Sequence, residues 1–257
     1  MSRESPFISA PVKWLFALLI VSSLTTMFNI TLFTSLNSFH SNLSDIFWVS
    51  MTTLGDGLLL GIILGMFMMV NPRITVFGLI LILAASLTVN VIKLILPALR
   101  PVEALETVHI VGPILRSGSF PSGHSAAAFA TALALAHFSP SRVLKVILLF
   151  FGILVGLSRI FVGAHFPSDV IWGIILALSL YELLRVLVWP KIEWYVPDTP
   201  LVKNRFFQAL LSLEVATSLF CLVIYSQVSA EYPPAAIAVS SGVLTFFIVA
   251  VFKSLKN

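Results

Sequence analysis

The chain has 257 residues, of which 58% are hydrophobic and only 10% charged, with a mean hydropathy of +1.04. Soluble globular proteins carry about 25% charged residues, so this composition excludes an ordinary soluble domain and points to a polytopic membrane protein. The net charge of +4 does not argue for nucleic acid, because basic residues in such a chain first of all report membrane side.

A helical crossing needs about 20 apolar residues, and that measure divides the sequence into eight spans of an all-α fold. The first, 12–33, follows Arg3 and Lys13. It is too long for a signal-peptide core and no small-residue cleavage pattern closes it, so it reads as a retained span. The second has an amphipathic lead-in, 45–53, continues to 70 and stops at Asn71-Pro72-Arg73. The third, 74–99, carries Asn90 and Lys93 near its end. A loop of about twenty residues, a length often associated with function, leads to Ser119-Phe120-Pro121-Ser122-Gly123-His124. The fourth span, 125–138, is short and alanine-rich, suited to tight helix packing. The fifth is 143–162 and the sixth 168–189; 206–226 and 235–252 complete the set. The single cysteine, Cys221, lies in an apolar run and excludes an internal disulfide.

Orientation follows from the basic residues. With an internal N-terminus, one side receives Arg3, Lys13, Arg73, Arg142, Lys145, Arg185, Lys191, Lys203, Arg205, Lys253 and Lys256, and the other only Lys93, Arg100, Arg116 and Arg159. Positive residues favour the cytoplasm, so both termini are expected there. Trp14, Trp48, Trp172, Trp189 and Trp194 fall near span ends, as interfacial residues do.

The four exceptions share a face with the Pro121–His124 turn. A helix starting near Ser125 would present Ser122, Gly123 and His124 at its N-terminus, where unpaired N–H groups and the positive dipole end meet an anion. Lys93 and Arg100, seven apart, could face one point across two turns, although Pro97 lies between them. Arg159 adds a planar fork suited to phosphate oxygens. His165 and Asp169 form a second unit: a carboxylate accepting from one ring nitrogen fixes the tautomer and frees the other nitrogen to attack. His124 is then left to protonate the leaving oxygen and later activate water. Lys93, Arg100, Arg159 and the helix N-terminus meet the charge of the transferring group without need of a metal or other cofactor.

Lys93-x6-Arg100-Pro101, Pro121-Ser122-Gly123-His124 and Ser158-Arg159-x5-His165-x3-Asp169 resemble the three signature motifs of the type 2 phosphatidic acid phosphatase superfamily, in order and without a mismatch. The resemblance implies a metal-independent phosphomonoesterase or pyrophosphatase working through a phosphohistidine. By motif position His165 would be the nucleophile, Asp169 its orienting partner and His124 the acid, while Lys93, Arg100, Ser122, Gly123 and Arg159 would bind phosphate. It also implies a six-helix phosphatase core over 1–190, followed by a cytoplasmic linker at 191–205 and a hairpin at 206–257 that lies beyond the family's core.

The expected activity is removal of a terminal phosphate from a lipid phosphate or polyprenyl pyrophosphate at the periplasmic face of a bacterial inner membrane. The expected partners are the bilayer and a phosphorylated lipid. Two alternatives stay open: transfer of the phosphoryl group to another lipid, and a lipid transporter. Away from the motifs, His40 and His137 read as structural or surface groups, and His109 and Arg116 as either head-group contacts or solvated loop residues. Glu182 and Arg185 suit an inner-edge ion pair, Asn90 could support Lys93, and Asp56 and Glu214 default to hydrogen bonds between helices.

Overall fold

A computed structural model describes residues 11–198 apart from 70, 116 and 117. The expected spans 206–226 and 235–252, linker residues 199–205, Arg116, Glu214 and Cys221 lie outside the described residues. Among the described residues every regular element is helical.

The first two expected crossings are not straight. Helix α1, Pro11–Met27, meets α2, Asn29–Asn37, at 81°, and α3, Asn42–Thr53, meets α4, Gly57–Met66, at 61°. Near the first break, the hydroxyls of Ser23, Thr25 and Thr26 donate to carbonyls one turn back, a bond that bends helices. Asn29 lends its side-chain oxygen to the Ser168 N–H at 3.0 Å, which covers a donor of another helix. At the second break Asp56 caps α4, accepting from the N–H groups of Leu58 and Leu59 at 2.9 and 3.2 Å. Asp56 is therefore a cap and not the interhelical bond expected of it.

Helix α5, Pro72–Ile95, starts at an Asn71 cap with proline in its first turn. It stops before Pro97, which has no N–H to give and disfavours helical geometry in the residue before it. Lys93 thus sits on the last turn of α5, while Arg100 follows on a non-helical segment ahead of the short α6, Pro101–Ala104. The expected two-turn helical spacing of these two cations is corrected. Helices α7, Gly123–Phe138, α8, Arg142–Phe161, and α9, Pro167–Leu183, follow. A π turn over Leu184–Val188 and α10, Trp189–Ile192, carry the helical run to Tyr195, past the expected core limit of 190.

Among the described residues, α5, α8 and the run Pro167–Tyr195 are long and apolar enough to cross a membrane, and each bent pair adds one more if it counts as a single span. Helix α7 is the centre of the packing, with α5, α8 and α9 around it. Its alanines 126, 127, 128, 130, 132, 134 and 136 are all buried, so small side chains let three neighbours approach one axis.

At the pole where α7 ends, Phe77, His137, Phe138, Tyr181 and Trp189 form an aromatic cluster, and His137 Nδ1 lies 3.0 Å from the Tyr181 hydroxyl. Trp189 is buried within this cluster. Arg185 pairs with Glu182 at 2.9 Å at this end of α9. The opposite pole, where α7 begins, holds the motif residues.

Candidate active site

Helix α8 ends in a turn that folds back on itself: the N–H groups of Ala164 and His165 donate to the Arg159 carbonyl at 3.0 and 3.1 Å. Gly163 makes this possible at φ +75°, with the His109 carbonyl lying so close that a Cβ there would be 2.4 Å from its oxygen. Helix α9 then starts with Pro167 in its first turn and brings Asp169 under the turn.

His165 is buried and is held from both nitrogens. Its Nδ1 lies 3.4 Å from Asp169 Oδ2. That carboxylate is itself fixed, accepting from the Ser119 hydroxyl at 2.6 Å and the Phe166 N–H at 3.0 Å. Ser119 Oγ is also 3.4 Å from His165 Nδ1. On the other side, Arg100 Nη1 lies 3.4 Å from Nε2 and donates to the Ala164 carbonyl at 2.8 Å. A guanidinium only donates, so Nε2 faces it as a lone pair and the ring proton belongs on Nδ1, toward the carboxylate. Burial first, then the charges of Arg159, Arg100 and Lys93, hold the His165 imidazole well below the ordinary histidine value. The neutral form with an available Nε2 is the one this environment favours.

The Pro121–His124 turn docks on the same pole. The Ser122 N–H donates to the Asp169 carbonyl at 3.0 Å, and Gly173 lets α9 approach so closely that a Cβ would be 2.6 Å from the Ser122 carbonyl oxygen. Ser122 caps α7, its hydroxyl accepting from Ser125 Oγ at 2.8 Å and from the Ser125 N–H at 3.4 Å. Gly123 and His124 therefore occupy the first turn of a 16-residue helix, where the free N–H groups gather. The charges of Arg159, Lys93 and Arg100 all reach His124, and Lys93 is within electrostatic reach of Arg100, Arg159 and Asp169. The structure thus brings together Lys93, Arg100, Ser122, Gly123, His124, Arg159, His165 and Asp169. One neutral imidazole with an available lone pair, a second histidine and three cations around a helix start suit attack on a phosphoryl centre. Among the described residues no three His, Cys, Asp or Glu side chains converge as metal ligands.

Other expectations fall differently. Asn90 is exposed on α5. His109 Nε2 sits 3.1 Å from both Asp45 carboxylate oxygens and stacks on His40 at 4.1 Å, so it ties the long loop to α3. Asn37 pins the same loop, accepting from the His109 N–H at 2.8 Å and donating to its carbonyl at 2.9 Å. Two contacts had no place in the sequence reading. Ser119 opens the motif turn in the sequence, but nothing there links it to Asp169, from which it is separated by 50 positions. The other is Thr52, whose hydroxyl accepts from Arg159 Nη1; a threonine in an amphipathic stretch carries no signal of this kind.

A helical membrane fold with paired histidines and three cations at one pole is an arrangement suited to phosphoryl transfer. Residues 74–193 match the PAP2 superfamily, and the chain belongs to that superfamily. It is similar to undecaprenyl-diphosphatase BcrC of Bacillus subtilis, 37% identical over 97 residues, covering 37% of this chain and 49% of that protein. Phosphatidylglycerophosphatase B of the same organism is 35% identical over 78 residues, covering 27% of this chain and 38% of the relative. The chain therefore spans half or less of the curated relatives it matches. The crystal structure of Aquifex aeolicus LpxE aligns with a TM-score of 0.57 at 30% identity, covering 60% of this chain and 93% of that one. A transmembrane PAP2-type phosphatidylglycerolphosphate phosphatase of Bacillus subtilis aligns at 0.56 and 24% identity, covering 68% and 94%, and adds support for the fold alone.

Proposed function

We propose that this protein hydrolyses the terminal phosphate of a lipid phosphate or polyprenyl pyrophosphate through a phosphohistidine on His165, without a metal ion, at the periplasmic face of a bacterial inner membrane. The observation that carries the reading is the two-sided hold on His165: Asp169 at Nδ1 and a donor-only Arg100 at Nε2 favour the tautomer that can attack.

In the first step the Nε2 lone pair of His165 attacks phosphorus and the P–O bond to the lipid breaks, while His124, which burial and the neighbouring cations hold below the ordinary histidine value in the free protein and which the bound phosphate's negative charge protonates, gives its proton to the leaving oxygen. Asp169 accepts the hydrogen bond from Nδ1–H as the ring gains positive charge. In the second step His124 takes a proton from water, the hydroxide attacks phosphorus, and the P–N bond breaks to release inorganic phosphate and restore neutral His165. Lys93, Arg100, Arg159 and the N–H groups at the start of α7 offset the negative charge throughout. Names of the two curated relatives support a lipid-linked phosphate as the substrate class. The excess of basic residues on the side away from the site supports the periplasmic assignment.

The test is phosphate release by the full chain in detergent over a panel of phosphorylated lipids with a chelator present. Release is expected from at least one member and is unchanged by the chelator. Loss of all release on chelation sinks the metal-free mechanism, and transfer of phosphate to an added lipid in place of release makes the protein a phosphotransferase.

A further inference from the structure

The break between α3 and α4 falls beside the site. Gly55, in this elbow, is buried so tightly that an added Cβ would lie 2.3 Å from Val155 Cγ1 on α8 and 3.5 Å from His124 Cβ. One residue before the end of α3, the Thr52 hydroxyl meets the Arg159 guanidinium. Its neighbours behave otherwise: Ser50 and Thr53 turn their hydroxyls back on their own helix, donating to the Ile46 and Val49 carbonyls at 2.7 and 2.8 Å. Thr52 accepts from a buried arginine instead.

The rest of α3 is fixed to the same pole. Trp48 stacks on Phe161 at 4.1 Å with the rings 3° from parallel, Val49 packs with Val111 and Val162, and Asp45 holds His109. Every one of these contacts joins α3 to the end of α8, to the turn that presents His165 or to the loop packed on it. Helix α3 lies upstream of residues 74–193, the stretch that matches the family.

We propose that the α3–α4 elbow is a further wall of the phosphate site and that Thr52 is a positioning residue, its hydroxyl aiming the Arg159 fork at the phosphate oxygens. An arginine has four side-chain torsions to fix, and a fork meets a phosphate in register only when its plane is set beforehand. The hydroxyl supplies that setting without adding a negative charge that would compete with the phosphate for the guanidinium. A carboxylate in its place would neutralise the cation the ligand needs. The role rests on the phosphatase reading of the site.

The probe is inorganic phosphate, titrated calorimetrically into the full chain in detergent for the wild type, Thr52→Val, Thr52→Ser, Arg159→Gln and the double variant Thr52→Val with Arg159→Gln. Loss of the hydroxyl weakens phosphate about tenfold, as expected for one lost hydrogen bond to a charged group, and serine restores affinity to within about threefold of wild type. Thr52→Val adds nothing further when Arg159 is already glutamine, since the hydroxyl acts through it. If Thr52→Val is not monodisperse, Thr52→Ala takes its place. Wild-type affinity in Thr52→Val, a Thr52→Ser as weak as the valine variant, or a full additional loss in the double variant overturns the role. A wild type that binds no phosphate overturns both the role and the function reading. Thr52-dependent phosphate binding in a protein that hydrolyses no lipid phosphate sinks only the hydrolase.

Discussion

His165 shows how one side chain is prepared by its partners before any ligand arrives. Its Nδ1 proton has a carboxylate to point at, and that carboxylate is kept in place by Ser119 and the backbone of Phe166. Its Nε2 stays a lone pair because Arg100 can only donate to it. The surrounding cations add a consequence for pH. Burial first, and then each nearby positive charge, penalises the protonated imidazole, so the free protein keeps His165 neutral to below the ordinary histidine value of about 6.5. Removing one such charge raises the imidazole value. In Arg159→Gln the acid limb of kcat/KM therefore moves to higher pH than in the wild type on the same substrate. An unchanged limb, or one moved to lower pH, contradicts this electrostatic account. Because the substrate's own ionisation is common to both proteins, the displacement between them reports the enzyme.

At the scale of elements, the site depends on close approaches that only small residues permit. Gly163 combines a positive φ with a carbonyl where a Cβ would stand. Gly163→Ala is therefore expected to cost about 1–2 kcal/mol from the backbone alone, with more from the clash, and to lower the thermal midpoint together with turnover. A midpoint equal to that of the wild type would mean the turn accommodates the methyl group, and its role in presenting His165 would fall. The motifs made most of this region legible in the sequence: a turn rich in Pro, Ser and Gly with a histidine, two cations before it, and an Arg–His–Asp series after it. Three things were not legible, each for a physical reason. The bends at Phe28 and Leu54–Asp56 occur inside apolar stretches, where hydropathy measures length but not direction. The end of α5 before Pro97 was visible as a possible kink, but only the folded chain shows that Arg100 reaches the site from outside the helix. Thr52 lies more than a hundred residues from Arg159 in the chain, and its type is common in any amphipathic helix.

For the molecule as a whole, the two poles differ in what they hold. One gathers His124, His165 and their cations; the other is closed by the aromatic cluster around Phe77 and Trp189, the Glu182–Arg185 pair, and Arg73, which reaches the Val196 carbonyl at 3.1 Å. Eleven of the fifteen basic residues fall on the second side by the positive-inside count, and the other four, Lys93, Arg100, Arg116 and Arg159, on the first. Reporter fusions should accordingly place the loop at 139–141 in the cytoplasm and the loop at 112–118 outside. A cytoplasmic 112–118 would reverse the orientation and move the proposed reaction to the other leaflet. The alanine-lined axis of α7 joins the poles and sets the distance between them, so its packing, not any single contact, keeps the motif residues in common reach.

The central claim is that the phosphoryl group passes through His165. It is tested most directly by quenching the full chain during turnover of a labelled lipid phosphate, with chelator present, and locating the label by mass spectrometry. An acid-labile phosphoryl group on His165, absent in His165→Ala and accumulating in His124→Ala when the leaving group needs no proton, is the predicted result. Label on His124, on a serine or on no residue while phosphate is still released would contradict it.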